Sequence, residues 1–285
     1  MMDIVRSVAD LRGRVAGWRR AGLRVGLVPT MGALHRGHLS LVAAAREWGA
    51  DRVVASVFVN PTQFGPNEDF ARYPRQEEQD AALLEGAGCA LLFSPTVAAM
   101  YPDGFATTVT VSGVADGLCG TVRPGHFAGV ATVVTKLLLQ ALPDVAVFGE
   151  KDYQQLAVIR RFVRDLDIPV AVLGAPTLRE ADGLAMSSRN AYMTAEQRAV
   201  APTLQRVLQL VADGLRAGGA ASVLCAQATA SLLAAGFGPV DYVEIRDADT
   251  LAPVETLDRP VRILAAARLG ATRLIDNIGV SPSAG

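Results

Sequence analysis

The stretch RVGLVPTMGALHRGHLSLV, residues 24–42, combines an apolar run, a glycine-bearing turn and an amphipathic segment. Its apolar run RVGLVP (24–29) predicts a strand, and HLSLVAAAREWG (38–49) predicts the helix that follows. The turn between them carries His35 and His38, two of only three histidines in the chain. A strand that passes through such a turn into a helix is typical of the units that build parallel α/β sheets.

Strand and helix patterns continue to alternate after this stretch. The run RVVASVFV (52–59) is almost entirely apolar, as expected for a strand buried on both faces of a parallel sheet. Further helices are expected near 75–87, 127–142 and 153–166, and further strands at 90–93, 144–149 and 168–174. The sequence therefore predicts a doubly wound, Rossmann-like α/β domain with a parallel sheet.

The pattern changes after Pro176. Helical stretches are expected near 195–215 and 221–235, and strands at 241–246, 261–269 and 273–278. This order predicts a smaller α+β domain at the C-terminal end. We place the boundary near residue 175, which divides the chain into domains of residues 1–175 and 176–285.

Composition narrows the class of protein. The 285 residues are 51% hydrophobic and 19% charged, with 27 basic and 28 acidic side chains. Neither a nucleic-acid nor a membrane partner is expected from this balance, and no secretory signal or membrane span is recognisable. Cys89, Cys119 and Cys225 are odd in number and widely spaced, which argues against a disulfide framework and a zinc site. We expect a cytoplasmic globular protein.

The histidine turn lies where open parallel sheets bind ligands, at the carboxyl end of a strand. Gly32 and Gly37 allow close approach to the backbone, and the following helix offers free N–H groups and a positive dipole end. Because His35 and His38 add N–H donors, we expect this turn to bind phosphate. Ordinary N-capping and a metal site are the alternatives, although no carboxylate is spaced to complete a metal site.

Polar side chains also follow two other predicted strands. Asn60 and Gln63 of FVNPTQF present neutral amides, which suit a carboxylate or hydroxyl group. Lys151 of FGEKDYQQL follows a strand end, where its ammonium group suits a polyphosphate, and Gln155 lies one helical turn further on. Solvent-facing amides in a proline turn and an ordinary surface lysine are the alternatives for these two segments.

The segment EADGLAMSSRN (180–190) carries hydroxyl groups and a guanidinium group on a predicted interdomain loop. Ser187, Ser188 and Arg189 suit a lid that closes on phosphates, whereas the alternative is a solvated linker. The chain contains no GxxxxGK[ST] loop, GxGxxG fingerprint, HExxH pair, paired CxxC or GxSxG elbow. Any phosphate chemistry must therefore use other groups.

Together these segments resemble the signature set of the pantoate–β-alanine ligase family. PTMGALHRGH is similar to that family's HxGH nucleotide-binding motif, which adenylylating nucleotidyltransferases share more loosely. FVNPTQF, RPGHFAGV, FGEKDYQQL and ADGLAMSSRN each resemble a family segment, in the expected order along essentially the whole chain. The resemblance implies that pantoate attacks Mg-ATP to give pantoyl adenylate and pyrophosphate. β-Alanine then displaces AMP, which gives pantothenate.

The resemblance also implies roles for the matching positions. His35, His38 and Lys151 would be catalytic, Gln63 and Gln155 would bind pantoate, and Gln63 with Asn60 would bind β-alanine. The residues implied to bind ATP are Met31, Gly32, Ala33, Leu34, His35, Arg36, Gly37, His38, Gly149, Glu150, Lys151, Asp152, Met186, Ser187, Ser188 and Arg189. Residues 1–175 would then hold ATP and pantoate, and residues 176–285 would form a lid.

Further expectations follow from the resemblance. It implies a homodimer, no organic cofactor, and Mg²⁺ carried on the ATP phosphates, with Asp80 as a candidate carboxylate ligand. Arg123 and His126 are expected near the site without an assigned step. The alternatives are another HxGH nucleotidyltransferase and an inactive nucleotide-binding protein. Two glutamines and an asparagine favour the ligase over the first, and the intact set of phosphate ligands opposes the second.

Overall fold

The structure is a computed structural model that describes residues 2–66 and 68–282. Its strands are β1 Asp3–Val5, β2 Val25–Thr30, β3 Arg52–Val57, β4 Leu91–Phe93, β5 Val145–Gly149, β6 Ala171–Ala175, β7 Val240–Asp247, β8 Val261–Leu269 and β9 Thr272–Val280. Its helices are α1 Val8–Arg20, α2 Arg36–Trp48, α3 Glu77–Gly86, α4 Val97–Met100, α5 Leu118–Val122, α6 His126–Ala141, α7 Tyr153–Asp165, α8 Ala195–Val200, α9 Thr203–Arg216 and α10 Ala221–Ala234. Single 3₁₀ turns cover Pro61–Gln63, Asp69–Arg72, Glu150–Asp152 and Ser188–Tyr192.

Strands β1 to β6 form one parallel sheet in the order β1-β4-β3-β2-β5-β6. The apolar runs at β2 and β3 are almost fully buried, as expected for central parallel strands. Strand order reverses between β2 and β5, and this switch point opens a crevice at the carboxyl ends of the two strands. The predicted doubly wound fold is confirmed.

Helices cover both faces of this sheet. On one face, α1, α6 and α7 pack around a core that includes Leu11, Leu138 and Ile159. On the other face, α2 and α3 pack through residues such as Val42 and Leu84. Helix α6 is buried along most of its length, so it lies inside the domain directly behind β2.

The C-terminal elements form a second core. Antiparallel strands β7-β8-β9 pack against α9 and α10. Leu204, Val207, Leu208 and Val211 recur at helical spacing and supply the buried stripe of α9. The predicted α+β arrangement of this part is confirmed. Within the two described ranges, no helix is long and apolar enough to cross a membrane.

Two of the differences from the sequence-based expectation have a clear local cause. The unpredicted strand β1 pairs with β4 at the sheet edge, so the histidine turn follows the second strand rather than the first. The single helix expected over 195–215 is two helices, α8 and α9, separated at Ala201 and Pro202. Both residues keep helical dihedral angles, but proline has no N–H to donate to the helix, so the ladder of helical hydrogen bonds is interrupted there.

Candidate active site

A cavity of about 210 Å³ lies in the crevice at the switch point. The predicted site residues that line it are Met31, His35, Gly37, His38, Asn60, Gln63, Gly149, Lys151, Asp152, Gln155, Met186, Ser187, Ser188 and Arg189. Sequence segments far apart in the chain therefore meet around one space. Five predicted residues lie outside its lining, namely Gly32, Ala33, Leu34, Arg36 and Glu150.

The two histidines build the start of α2 as well as the cavity wall. The Nδ1 atom of His35 accepts a hydrogen bond of 3.1 Å from the backbone N–H of Gly37. The Nδ1 atom of His38 accepts one of 3.3 Å from the backbone N–H of His35. Because each Nδ1 is an acceptor, the proton of each neutral ring resides on Nε2. Capping the helix thus leaves two Nε2–H donors for a ligand.

Both imidazoles are held neutral. Burial and the ammonium group of Lys151 lower the pKa of His35 to about 4. Burial and the neighbouring His35 ring lower the pKa of His38 to about 3, and the two ring centroids are 4.1 Å apart. At neutral pH the pair therefore offers hydrogen-bond donors without a positive charge.

The turn before His35 adopts a strained path that Asp80 stabilises. Gly32 and Ala33 both have positive φ, of 85° and 52°. The carboxylate of Asp80 accepts the N–H groups of Ala33 at 3.0 Å and Leu34 at 2.9 Å. A Cβ at Gly32 would lie 2.8 Å from this carboxylate, so only glycine fits there.

Asp80 is therefore unsuited to the metal-ligand role suggested by the sequence. It is only 1% exposed, and both of its oxygens accept backbone N–H groups. Among residues 2–66 and 68–282, no cluster of three or more His, Cys, Asp or Glu side chains is arranged to hold a metal ion.

Lys151 lies opposite the histidines, on the 3₁₀ turn that follows β5. Its side chain is 18% exposed, and its Nζ atom is 3.9 Å from the Asp152 carboxylate. Asn277 of β9 donates hydrogen bonds of 2.9 Å to the carbonyl oxygens of both Glu150 and Lys151. The small C-terminal sheet thus contacts the turn that carries the lysine.

The serine-rich loop contributes polar groups from the start of the C-terminal part. The Ser187 hydroxyl accepts the N–H of Arg189, and the Ser188 hydroxyl is 3.3 Å from the hydroxyl of Tyr73. Arg189 forms a bidentate ion pair with Asp69, with both N–O distances 3.0 Å. This pair joins the loop to the sheet domain across the crevice.

Asn60 and Gln63 form one hydrogen-bonded unit. The Asn60 side-chain N–H groups bond to Gln63 Oε1 at 3.0 Å and to the carbonyl of Gly129 at 3.2 Å. Its Oδ1 atom accepts from Tyr101 at 2.8 Å and from the hydroxyl of Thr62 at 3.0 Å. Because the Asn60 amide is fully used and 1% exposed, it orients Gln63 instead of offering free donors to a substrate.

Arg123 and His126, which the sequence left without a role, support the same turn. His126 Nδ1 donates to the backbone carbonyl of Gln63 at 2.8 Å, and its Nε2 accepts from Arg123 Nη1 at 2.9 Å. Arg123 also forms a bidentate pair with Glu68, with both N–O distances 2.6 Å. Both residues therefore hold the backbone carbonyl of Gln63 in place.

The cavity has an apolar wall that was not predicted from the sequence. Beside Gln63 and Gln155 the cavity is lined by Phe58, Leu41, Val130, Val133, Val134, Leu137 and Phe148. Four of these residues belong to α6. At Gly129 this helix approaches the Pro61–Gln63 turn so closely that a Cβ would lie 2.3 Å from the carbonyl oxygen of Thr62. The wall and Gln63 are therefore in direct contact.

A second cavity, of about 410 Å³, adjoins the first. Lys151, Asp152, Gln155, Ser187 and Arg189 line both cavities. The second cavity extends between the two sheets as far as β9. The crevice therefore has a small compartment with an apolar wall and a larger polar one, joined at Lys151.

Known proteins match the chain over nearly its full length. A family model described as pantoate–beta-alanine ligase matches residues 3–279. The chain belongs to the pantoate–beta-alanine ligase family. The pantothenate synthetase of Paramagnetospirillum magneticum is 76% identical over 281 residues, which cover 99% of each chain. Membership of this ligase family makes the chain an enzyme of ATP-dependent pantothenate formation.

Solved structures of pantoate–beta-alanine ligases have the same fold. Pantothenate synthetase from Thermus thermophilus has a TM-score of 0.91 and 50% identity, over 99% of this chain and 100% of that one. The pantoate–beta-alanine ligase from Francisella tularensis, described as complexed with beta-gamma ATP and beta-alanine, has a TM-score of 0.81 and 34% identity. That alignment covers 98% of this chain and 97% of the Francisella chain.

Proposed function

We propose that this ligase works through a pantoyl adenylate formed in the crevice between β2 and β5. The pantoate carboxylate attacks the α-phosphorus of ATP, and the bond from that phosphorus to the bridging oxygen breaks as pyrophosphate leaves. The β-alanine amine then attacks the acyl carbon, loses a proton, and displaces AMP. The observation that carries this proposal is that one cavity is lined both by groups that can donate hydrogen bonds to phosphate and by an apolar wall with two glutamines.

The histidines and Lys151 would stabilise the charge that moves onto pyrophosphate. His35 and His38 donate Nε2–H groups to phosphate oxygens, and their low pKa values favour hydrogen bonding over proton transfer. Lys151 supplies the positive charge that the neutral imidazoles lack. Ser187, Ser188 and Arg189 add donors from the loop, and Arg189 exchanges Asp69 for phosphate when the nucleotide binds.

The small compartment would bind pantoate. Pantoate carries two methyl groups on one carbon, and the valines and leucines of the wall match this apolar centre. Gln63 and Gln155 can bond to its hydroxyl groups and carboxylate. A carboxylate is already ionised at neutral pH, so no base is needed for its attack. Catalysis then rests on positioning and charge stabilisation.

The remaining groups follow from this placement. The adenosine of ATP would lie along Met31, Gly149, Asp152 and Met186, with Asp152 at the ribose. β-Alanine would bind at Gln63, while Asn60 acts by orienting that glutamine. Mg²⁺ would enter on the ATP phosphates and neutralise part of their charge.

Four broader features belong to the same proposal. Residues 1–175 form the catalytic domain and 176–285 a lid. The apolar core that most of the second part builds for itself supports this division, and Leu251 and Leu264 join it to the core of the first part. The enzyme acts as a homodimer in the cytoplasm, and it uses ATP without an organic cofactor.

Labelled pyrophosphate exchange into ATP tests the proposal. We expect exchange that requires (R)-pantoate and proceeds without β-alanine, and release of AMP with pantothenate once β-alanine is added. Lys151→Ala should slow exchange about 100- to 1,000-fold. Lys136→Ala is the matched control, because Lys136 is the only other lysine and lies over the ring of Phe105. Exchange without pantoate would instead support a nucleotidyltransferase of another kind.

A further inference from the structure

Asn277 is buried at the contact between β9 and the turn of Lys151. Its side-chain nitrogen donates to the carbonyl oxygens of Glu150 and Lys151, each at 2.9 Å. The residue is 3% exposed, so these two bonds are shielded from water. Both N–H groups of one amide are thus used on consecutive carbonyls of the turn that carries the catalytic ammonium group.

The Asn277 amide is itself held in one orientation. Arg262 of β8 donates to Asn277 Oδ1 at 3.2 Å and to the Glu150 carboxylate at 3.1 Å. The guanidinium carbon of Arg262 lies 3.9 Å from the ring centroid of Tyr153, the first residue of α7. On the other side, the Asn277 backbone N–H bonds to Asp276, whose carboxylate pairs with Arg179. Because the oxygen is occupied by Arg262, the nitrogen must face the turn.

We infer that Asn277 is a positioning residue for the first chemical step, and that the small domain fixes the ammonium group of Lys151 through it. This inference rests on the role proposed for Lys151. The turn Glu150–Asp152 is short, so a shift of its carbonyls displaces the lysine side chain directly. A displacement of about 1 Å at a group that stabilises charge in the transition state can lower a rate about 100-fold.

The primary test is Asn277→Asp. Aspartate has nearly the same shape and still accepts from Arg262, but it presents a carboxylate oxygen to two carbonyl oxygens. We expect pyrophosphate exchange to slow by about ten- to 100-fold, while the KM for pantoate changes less than about two-fold. A residue with only a structural role would change the amount of folded protein without this selective loss.

A double-mutant cycle separates this inference from the proposed function. The rate of pyrophosphate exchange is measured for the unmodified enzyme, for Asn277→Asp, for Lys151→Ala and for the double variant. If Asn277 acts through Lys151, its replacement changes the rate less than about two-fold once the lysine is gone. Equal losses in both backgrounds overturn the inference but leave the proposed function standing. Unimpaired exchange in Lys151→Ala itself overturns the proposed role of the lysine.

Two further variants complete the test. Tyr242→Phe removes another contact of the small sheet with the rest of the chain, the one from the Tyr242 hydroxyl of β7 to the Cys119 thiol of α5, and should leave exchange unchanged. Should Asn277→Asp fail to fold, Arg262→Met frees the Asn277 oxygen and the Glu150 carboxylate and should give a smaller loss of the same kind. Full exchange in a folded Arg262→Met or Asn277→Asp enzyme overturns the inference.

Discussion

The turn after β2 and the turn after β5 face each other across the crevice but are held by different parts of the chain. The histidine turn is stabilised by Asp80, from α3 of the same domain, and by the hydrogen bonds of its own imidazoles. The lysine turn is held by Asn277 and Arg262, from the small domain. One half of the proposed phosphate site is thus held within the sheet domain, whereas the other half depends on contact with the small domain.

The largest expected effect tests whether the histidine turn and the lysine turn, the two sides of the crevice, contribute independently to the rate. His38→Ala should slow pyrophosphate exchange about 100- to 1,000-fold, because it removes a donor that we propose binds the leaving pyrophosphate. If the sides are independent, this factor multiplies with that of Asn277→Asp in the double variant. A double variant no slower than His38→Ala would show that the two turns do not act independently.

Asp80→Asn should weaken the histidine side alone. The amide cannot accept two backbone N–H groups as strongly, so Ala33 is less well held at its positive φ. We expect the free energy of unfolding to fall by about 1.5–3 kcal/mol and the KM for ATP to rise about ten-fold. Urea unfolding and exchange kinetics measure these changes. Glu78→Gln, an exposed carboxylate in the first turn of the same helix, is the matched control.

Gly37→Ala should have an effect of about ten-fold on exchange, through His35. A Cβ at position 37 would lie 2.9 Å from Cε1 of that imidazole, so the ring must move away from its capping position. Gly13→Ala in α1 is the control, since its added Cβ meets nothing within 4 Å. Equal activities in the two variants would show that exchange does not depend on the capping position of the His35 ring.

The histidine side should also make folding stability depend on pH. The folded pKa of His38, about 3, lies below its unfolded value of about 6.5, so below pH 6.5 only the unfolded state gains this proton. Stability is therefore full above pH 6.5 and falls by up to about 1.4 kcal/mol per pH unit as the pH drops towards 3. Urea unfolding between pH 7 and 5 should show a shallower decline in His38→Asn. Identical slopes would mean that the imidazole is protonated when folded.

The smallest effect is expected at Tyr101→Phe. Its hydroxyl donates to Asn60 Oδ1, and Asn60 in turn bonds to Gln63, the residue proposed to bind pantoate. The hydroxyl of Thr62 remains as a donor to the same oxygen. We expect the KM for pantoate to rise about three-fold, with little change in kcat. Steady-state kinetics at saturating ATP measure this. A fall in kcat instead would place the Asn60 network in the chemical step.

The pattern of the sequence predicted most of the fold because the central strands and long helices carry strong periodic signals. Strand β1 was missed because three residues are too few for a period, and only pairing with β4 makes it a strand. The break before α9 was missed although Pro202 marks it. When one helix follows another directly, a continuous apolar periodicity can hide the break that a single proline marks.

The polar groups of the site could be predicted from the sequence, but the residues that hold them in place could not. His35, His38, Lys151 and Gln63 were recognisable because polar residues after strand ends are conspicuous. The partners Asp69 of Arg189 and Asn277 of Lys151 lie more than 100 residues from them, so no local pattern connects them. The apolar wall from α6 was missed because a buried helix and a substrate wall have the same composition.

The contact at Gly129 has a consequence for inhibitor design. With no side chain between Gly129 and Thr62, the apolar wall of α6 and the amide of Gln63 cannot be drawn apart without breaking the Asn60 bonds that join them. The width of the small compartment is therefore fixed by main-chain contact. Compounds that mimic pantoate should gain affinity by extending along the crevice towards Lys151, whereas bulkier groups beside the two methyls should be rejected.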